Sequence, residues 1–298
     1  MKKPYGRCPI CHSRQKELFF KTPQRSLYTC LRCQLIYVLP WPKKSTIQQL
    51  YQDEYFQLGK DKKKILGYRD YKKQERFLIP YFRKKLGLID KLMGGKKGKL
   101  LDIGCALGHF LELAKKESWE VTGLDISDYS IREVRKKGIM AVKGPLVQAR
   151  LKSSSFGVVT LFQTLEHDYD PLGLLDEIKR ILKPGGLLVL TVPDQKNILA
   201  RILGKKWHGW QTEGHLIWFD SQNLEFALKK AGFSKIKVEK DLPIWGSLED
   251  SFEALNMHYT NRVTKGIFVM IDWLPKKIKE AAIVPQTLIR GLSANVIK

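Results

Sequence analysis

Between residues 99 and 241 short apolar runs alternate with longer stretches in which apolar positions recur every three or four residues. The short runs predict strands at Lys99–Ile103, Glu120–Asp125, Met140–Lys143, Gly157–Phe162, Leu187–Val192 and Lys235–Glu239. The stretches between them predict helices near His109–Glu117, Ser130–Lys137, Gly173–Leu182 and Gln222–Ala231. Punctuation agrees with this: Asp170-Pro171 can open one helix, Ser221 can cap another, Lys183-Pro184-Gly185-Gly186 turns a helix into a strand, and Gly232 ends the last helix. Strand and helix in strict alternation give a parallel sheet covered on both faces.

The flanking regions have other patterns. Residues 1–40 hold two cysteine pairs, and 41–98 form a basic stretch with Lys, Tyr and Phe at helical spacing, which predicts a helical linker or lid. Residues 242–298 form a tail. Its apolar segment Ile267–Leu274 falls short of the roughly 20 residues that span a bilayer and predicts a helix packed on the domain or lying at a lipid interface. Ser293–Ile297 predicts a last antiparallel strand. No internal repeat is visible.

Charge changes the picture in one region. The chain of 298 residues carries a net charge of +23, and residues 1–98 account for +17 of it, with 24 basic and 7 acidic residues. Such a field draws nucleic acid, anionic lipid headgroups or phosphorylated small molecules, or is simply a solvated Lys-rich surface. With 43% hydrophobic residues the chain can bury one large core. Met1–Cys11 has a basic start without an apolar stretch behind it, so the expected location is cytoplasmic, with peripheral contact at the inner membrane face as the alternative.

Cys8-Pro9-Ile10-Cys11 and Cys30-Leu31-Arg32-Cys33 stand 18 residues apart, the spacing of a ribbon-type zinc site with four thiolate ligands. Four sulfurs close the coordination sphere, so the expected Zn(2+) is structural.

The segment Leu101-Asp102-Ile103-Gly104-Cys105-Ala106-Leu107-Gly108 places a glycine turn directly after an apolar strand and directly before a helix, where backbone N–H groups meet a nucleotide-type ligand. A carboxylate at Asp102 disfavours a dinucleotide phosphate and suits a cationic or amine-bearing cofactor. Asp125 ends the next strand, where an acid accepts hydrogen bonds from ribose hydroxyls. On LLDIGCALGHFL, VTGLDIS, FGVVTLFQTLEHDYDP and LKPGGLLVLTVP, residues 99–241 resemble the class I S-adenosylmethionine-dependent methyltransferases. The resemblance implies that Gly104, Ala106 and Gly108 approach the amino-acid part of the cofactor. It also implies that Asp125, with Ile126 beside it, binds the ribose, that Leu146 contacts the adenine and that Gln163 lies near the sulfonium. Ala106 replaces a more usual Gly, which demands a negative φ there, and the acidic residue common after the third strand is missing around Gly144–Val147.

The N-terminal stretch, CPICHSRQKELFF through YTCLRCQLIYVLPWP to LYQDEYF, resembles the zinc-binding segment of deoxysugar C-methyltransferases and of enzymes of surface-glycan assembly. That resemblance implies a histidine beside the acceptor, which makes His215 of EGHLIWF the first candidate general base; His167 of Glu166-His167-Asp168, after the fourth strand, is the second, and a site that uses no base is the alternative. Gly214 separates Glu213 from His215 where such residues are commonly adjacent. Tyr55, Phe56, Tyr68 and Tyr71 are candidates for a lid, or for plain packing. The expected fold is α/β, a Rossmann-like doubly wound sheet of mostly parallel strands with a small N-terminal zinc-binding module and a helical lid. The expected function is methyl transfer from S-adenosylmethionine to a small molecule, which could be anionic: a sugar, nucleotide sugar or lipid-linked glycan precursor. An RNA methyltransferase gripping nucleic acid by its basic module, or a non-catalytic binding protein of the same fold, are the alternatives. Phe162-Gln163-Thr164-Leu165 stands where base-amine methyltransferases carry Asn/Asp-Pro-Pro-Tyr/Phe, which lowers the nucleic-acid reading.

Overall fold

The computed structural model describes residues 6–51, 75–197, 200–201, 204–207, 209–210, 212, 214–241 and 291–298. The aromatic positions proposed as a lid, the tail segment 267–274, His208 and Glu213 lie outside the described residues.

The chain starts with an antiparallel meander, β1 (Lys16–Lys21), β2 (Ser26–Cys30) and β3 (Ile36–Leu39), in which Tyr28 stands opposite Tyr37. Among the described residues, helices α1 (Lys44–Leu50) and α2 (Glu75–Leu92) come next. The alternating region then gives β4 (Lys99–Ile103), α3 (His109–Lys116), β5 (Glu120–Asp125), α4 (Asp128–Lys136), β6 (Met140–Lys143), β7 (Phe156–Phe162), α5 (Pro171–Ile181) and β8 (Leu182–Pro193). A short strand β9 (Ile217–Trp218), helix α6 (Ser221–Lys230), β10 (Ser234–Asp241) and β11 (Gly291–Ile297) complete it. The main sheet has the order β10-β11-β8-β7-β4-β5-β6, with β4 to β8 parallel and β11 antiparallel to both its neighbours. The expected doubly wound α/β fold is therefore present, including its last antiparallel strand.

Period-two geometry sorts the central strands between two cores. Leu101, Val159, Leu161, Leu188 and Leu190 face one core with α5, α6 and the cysteine meander. Leu100, Val158, Leu187 and Val189 face the other, with Phe82 of α2, Phe110 of α3 and Val134 of α4. Both faces being covered, these strands read as almost continuous apolar runs rather than alternating ones.

Three local expectations change. The cap of α6 is Asp220, not Ser221: its carboxylate accepts from the Asn223 amide while its own N–H donates to Asn223 Oδ1, both at 2.9 Å. Ser127, whose hydroxyl accepts from the Ser130 N–H, starts α4 before the predicted Ser130. Lys183–Gly186 is a bulged excursion inside β8 rather than a free turn, since Leu182 pairs with Phe156 and Leu187 resumes pairing with Val158.

The order of connection reverses at β4, which sends the chain to β5 on one side and later receives β7 on the other. A crevice opens at the carboxyl ends of strands at such a point. The cysteine meander is joined to this body by β9, which pairs antiparallel with β3 through Ile36–Trp218 and Tyr37–Ile217. Two-residue β9 escaped the sequence pattern because it is too short to show a period.

Candidate active site

The turn after β4 is held from the end of β5. The N–H groups of Gly104 and Cys105 donate to the Leu124 carbonyl at 2.7 and 3.1 Å, and the Ala106 N–H donates to Asp125 Oδ2 at 2.9 Å. Asp125 Oδ1 accepts from the Ser127 N–H at 2.9 Å. One carboxylate thus sets both the glycine turn and the start of α4. Gly104 sits at φ +74°, and a Cβ there would collide with the Thr164 hydroxyl. Ala106 sits at φ +46°, in the left-handed region, so the expected negative φ is corrected. The hydrogen bond to Asp125 holds alanine in a conformation that glycine adopts without strain.

Asp102 is buried at the end of β4, with Oδ1 accepting from the Thr160 hydroxyl at 2.6 Å. Burial raises its pKa to about 7, helped by the Asp125 charge and opposed by the Thr160 hydrogen bond. Burial likewise raises Asp125 to about 6, against the hydrogen bonds from Ser127, Ala106 and Ile126.

A cavity of about 440 Å³ lies over these strand ends, a size that suits a cofactor-like ligand. Asp102, Gly104, Ala106, Asp125, Ile126, Leu146 and Gln163 all line it, so seven of the eight residues expected on the cofactor side converge. Gly108 does not line it. Its φ of +77° and the close approach of Val134 Cγ2 make it a packing position between α3 and α4.

Of the two histidines expected on the acceptor side, His167 lines the cavity and His215 does not. The two rings pack edge to face with centroids 4.7 Å apart, and His215 is buried behind His167. His167 Nδ1 lies 2.9 Å from both the Tyr51 hydroxyl and the Gly214 carbonyl. Gly214, the residue that departs from the expected motif, thus supplies the acceptor that orients His167. Burial lowers the His167 pKa to about 4, so the ring is neutral near pH 7. Trp207 and Trp210 of the same loop pack with one another, Trp210 also meeting Trp218 and Phe19.

Sequence reasoning missed Tyr51, Leu78 and Phe82, which wall the cavity from α2 and the residue after α1. The i, i+4 spacing of Leu78 and Phe82 was a usable signal for a buried helix face. Nothing in it distinguished packing from a ligand wall.

Away from the cavity, the sulfurs of Cys8, Cys11, Cys30 and Cys33 lie within 4.8 Å of one another. Cys8–Cys33 and Cys11–Cys30 stand at 3.5 and 3.4 Å, and none forms a disulfide. Sulfurs about 2.3 Å from a central tetrahedral ion would be about 3.8 Å apart, so the set fits one zinc with little adjustment. Among the described residues no helix is long and apolar enough to cross a membrane.

A family described as a methyltransferase domain matches residues 73–238. The ubiquinone biosynthesis O-methyltransferase of Idiomarina loihiensis is 30% identical over 128 residues, 40% of this chain and 52% of that protein. The demethylmenaquinone methyltransferase of Lactococcus lactis is 29% identical over 180 residues, covering 50% and 71%. The chain thus spans about half the length of the first of these relatives. Among solved structures, a SAM-dependent methyltransferase from Thermotoga maritima superposes with a TM-score of 0.51 at 19% identity, covering 76% of this chain and 94% of that one. This last likeness is one of fold.

Proposed function

The chain belongs to the methyltransferase-domain family, and on that premise we propose that it transfers the methyl group of S-adenosylmethionine to a small-molecule acceptor. The observation that carries this reading is the convergence of Asp102, Asp125 and the Gly104–Ala106 turn on one cavity at the switch point of the sheet. Asp125 meets the ribose hydroxyls with lone pairs left over from its bonds to the backbone. Asp102 faces the cationic amino-acid end, and Leu146 packs on the adenine. Methyl transfer is an in-line displacement in which an acceptor lone pair bonds the methyl carbon as the carbon–sulfur bond breaks, so the protein contributes mainly orientation. The acceptor then lies beside Gln163, Tyr51 and His167, where the histidine pair gives the site its means of handling a proton. His167 touches the acceptor, and His215 acts through it as a positioning residue.

The acceptor we favour is a sugar, nucleotide sugar or lipid-linked glycan precursor. The support is the resemblance of the N-terminal segment, together with the excess of positive charge in residues 1–98. The four cysteines would hold a structural zinc. A second reading, a phenolic ring of the quinone type, is supported by the apolar walls Ile47, Leu78 and Phe82 and by the names of the two relatives. Calorimetry with S-adenosylmethionine and labelled-methyl transfer to nucleotide sugars, lipid-linked glycans and demethylated quinols test both. Binding with transfer to one class is expected. A chain that binds no S-adenosylmethionine would refute the proposal, and transfer to quinols alone would replace the favoured acceptor.

A further inference from the structure

The turn Leu165–His167 after β7 and the residue His215 before β9 bring three polar side chains together behind the cavity wall. Ligand atoms of Glu166, His167 and His215 lie within 4.8 Å of one another. Glu166 has no solvent exposure, and neither carboxylate oxygen has a hydrogen-bond partner among the described residues. A buried carboxyl group in that state, ionised or protonated, is costly unless a ligand meets it.

The hydrogen bonding of His167 tells what is missing. The Gly214 carbonyl, 2.9 Å from Nδ1, can only accept, so the tautomer that satisfies it carries its proton on Nδ1, with the Tyr51 oxygen, also at 2.9 Å, as a second acceptor. Nε2 then presents a lone pair toward Glu166 Oε1 across 3.8 Å. His167 Nε2 and Glu166 Oε1 face each other out of water at a separation too long for a shared proton. The spacing is close to the roughly 3.3 Å edge of a tetrahedron whose ion sits about 2.0–2.1 Å from nitrogen and oxygen ligands. A metal-bound imidazole also characteristically gives its other N–H to a backbone carbonyl, as His167 does to Gly214.

We propose that Glu166, His167 and His215 form a second metal site, distinct from the cysteine site, that takes a divalent first-row transition ion on two imidazoles and one carboxylate. Three protein ligands leave a further position for a water or an acceptor oxygen, whose pKa the ion lowers. His167 is the ligand that also lines the cavity, so the ion sits at the acceptor end rather than the cofactor end. This deepens the methyl-transfer reading in one respect only, the handling of the acceptor proton; the existence of the site does not depend on it.

Manganese is the discriminating probe, because four thiolates disfavour it and a nitrogen and oxygen set accepts it. The full chain, with zinc already on its cysteines, is titrated with Mn2+ and the free ion is followed by electron paramagnetic resonance. One saturable Mn2+ per chain is expected. Glu166→Gln and His215→Asn should each weaken it at least tenfold while keeping one zinc per chain and unchanged affinity for S-adenosylmethionine. Wild-type protein that takes up no saturable Mn2+, and no zinc beyond the cysteine-bound equivalent, overturns the proposal without reference to any variant. Uptake equal in wild type and both variants overturns it as well. Calorimetry with S-adenosylmethionine reports separately on the methyl-donor reading.

Discussion

The Leu216 N–H donates to the Glu166 carbonyl at 2.9 Å, and the Leu216 carbonyl accepts from the Val38 N–H at 3.0 Å. Leu216 is therefore clamped between the turn that carries His167 and strand β3 of the cysteine meander. His215, its neighbour, is placed by both. A module that reads in sequence as an appendage thereby touches the segments that carry His167 and His215, through Leu216 and through the β3–β9 pairing.

Loss of the cysteine site should consequently be felt at His215. Cys30→Ser, or stripping of metal by a chelator, is expected to abolish bound zinc and to speed amide exchange at Val38 and Leu216 by at least about tenfold. Methyl transfer should fall with it. Affinity for S-adenosylmethionine should change by less than about threefold, because the donor contacts lie on β4 and β5. Exchange at Leu216 that ignored zinc would break the proposed connection.

The turn residues predict two substitutions of opposite sign. Ala106→Gly removes a side chain from φ +46° and should raise stability by up to about 1 kcal/mol, the left-handed strain slightly exceeding the entropy that glycine loses. Gly104→Ala places a methyl group on the Thr164 hydroxyl at φ +74° and should cost about 2 kcal/mol or more. Denaturant midpoints measure both. A destabilised Ala106→Gly would mean that the left-handed assignment at this turn is wrong.

Much of this site could be read in advance, for physical reasons that differ by residue. Asp102, Gly104 and Asp125 are fixed by a strand end, a glycine conformation and a second strand end, all local features of the chain. The strands β4, β5 and β6 begin and end where the apolar runs do. His215 was expected to act directly on the acceptor, yet it lies behind His167. That depth depends on the β3–β9 pairing, between residues about 180 positions apart, which no local period encodes. The cap of α6 was misjudged by one residue because Asp220 and Ser221 are both good caps, and only the reciprocal bond with Asn223 decides between them.

The role proposed for Asp125 at the ribose is joined by a structural one. Its carboxylate also accepts from Ala106 and Ser127, so Asp125→Ala frees two buried backbone donors as well. S-adenosylmethionine affinity should fall by about 30-fold or more, and stability by about 1–3 kcal/mol. Asp125→Asn, which keeps one carbonyl acceptor, should lose less of both. Calorimetry and unfolding curves on the pair separate the two roles; unchanged affinity in Asp125→Ala would remove the ribose assignment.

The two buried aspartates set the pH response. Burial raises the folded-state pKa of Asp102 to about 7 and of Asp125 to about 6, against an ordinary value of 3.8. Between about pH 4 and pH 7 these two groups thus hold protons in the folded chain that they have released in the unfolded one, and their contribution to the slope of stability with pH is negative. Their share of the stability of the ligand-free protein is fully present below the unfolded pKa and should be lost as pH rises through about 6 and then about 7, which the difference between wild type and Asp102→Asn isolates for the latter. Binding runs the other way, since the ionised carboxylates are the forms that attract a sulfonium and an ammonium group. S-adenosylmethionine should bind about tenfold more tightly at about pH 8 than at about pH 5.5, and its presence should flatten the fall in stability. Asp102→Asn should remove the part of this response centred near pH 7. Calorimetry across that range would contradict the electrostatic account if wild-type affinity stayed constant, or if the Asp102→Asn profile matched the wild type.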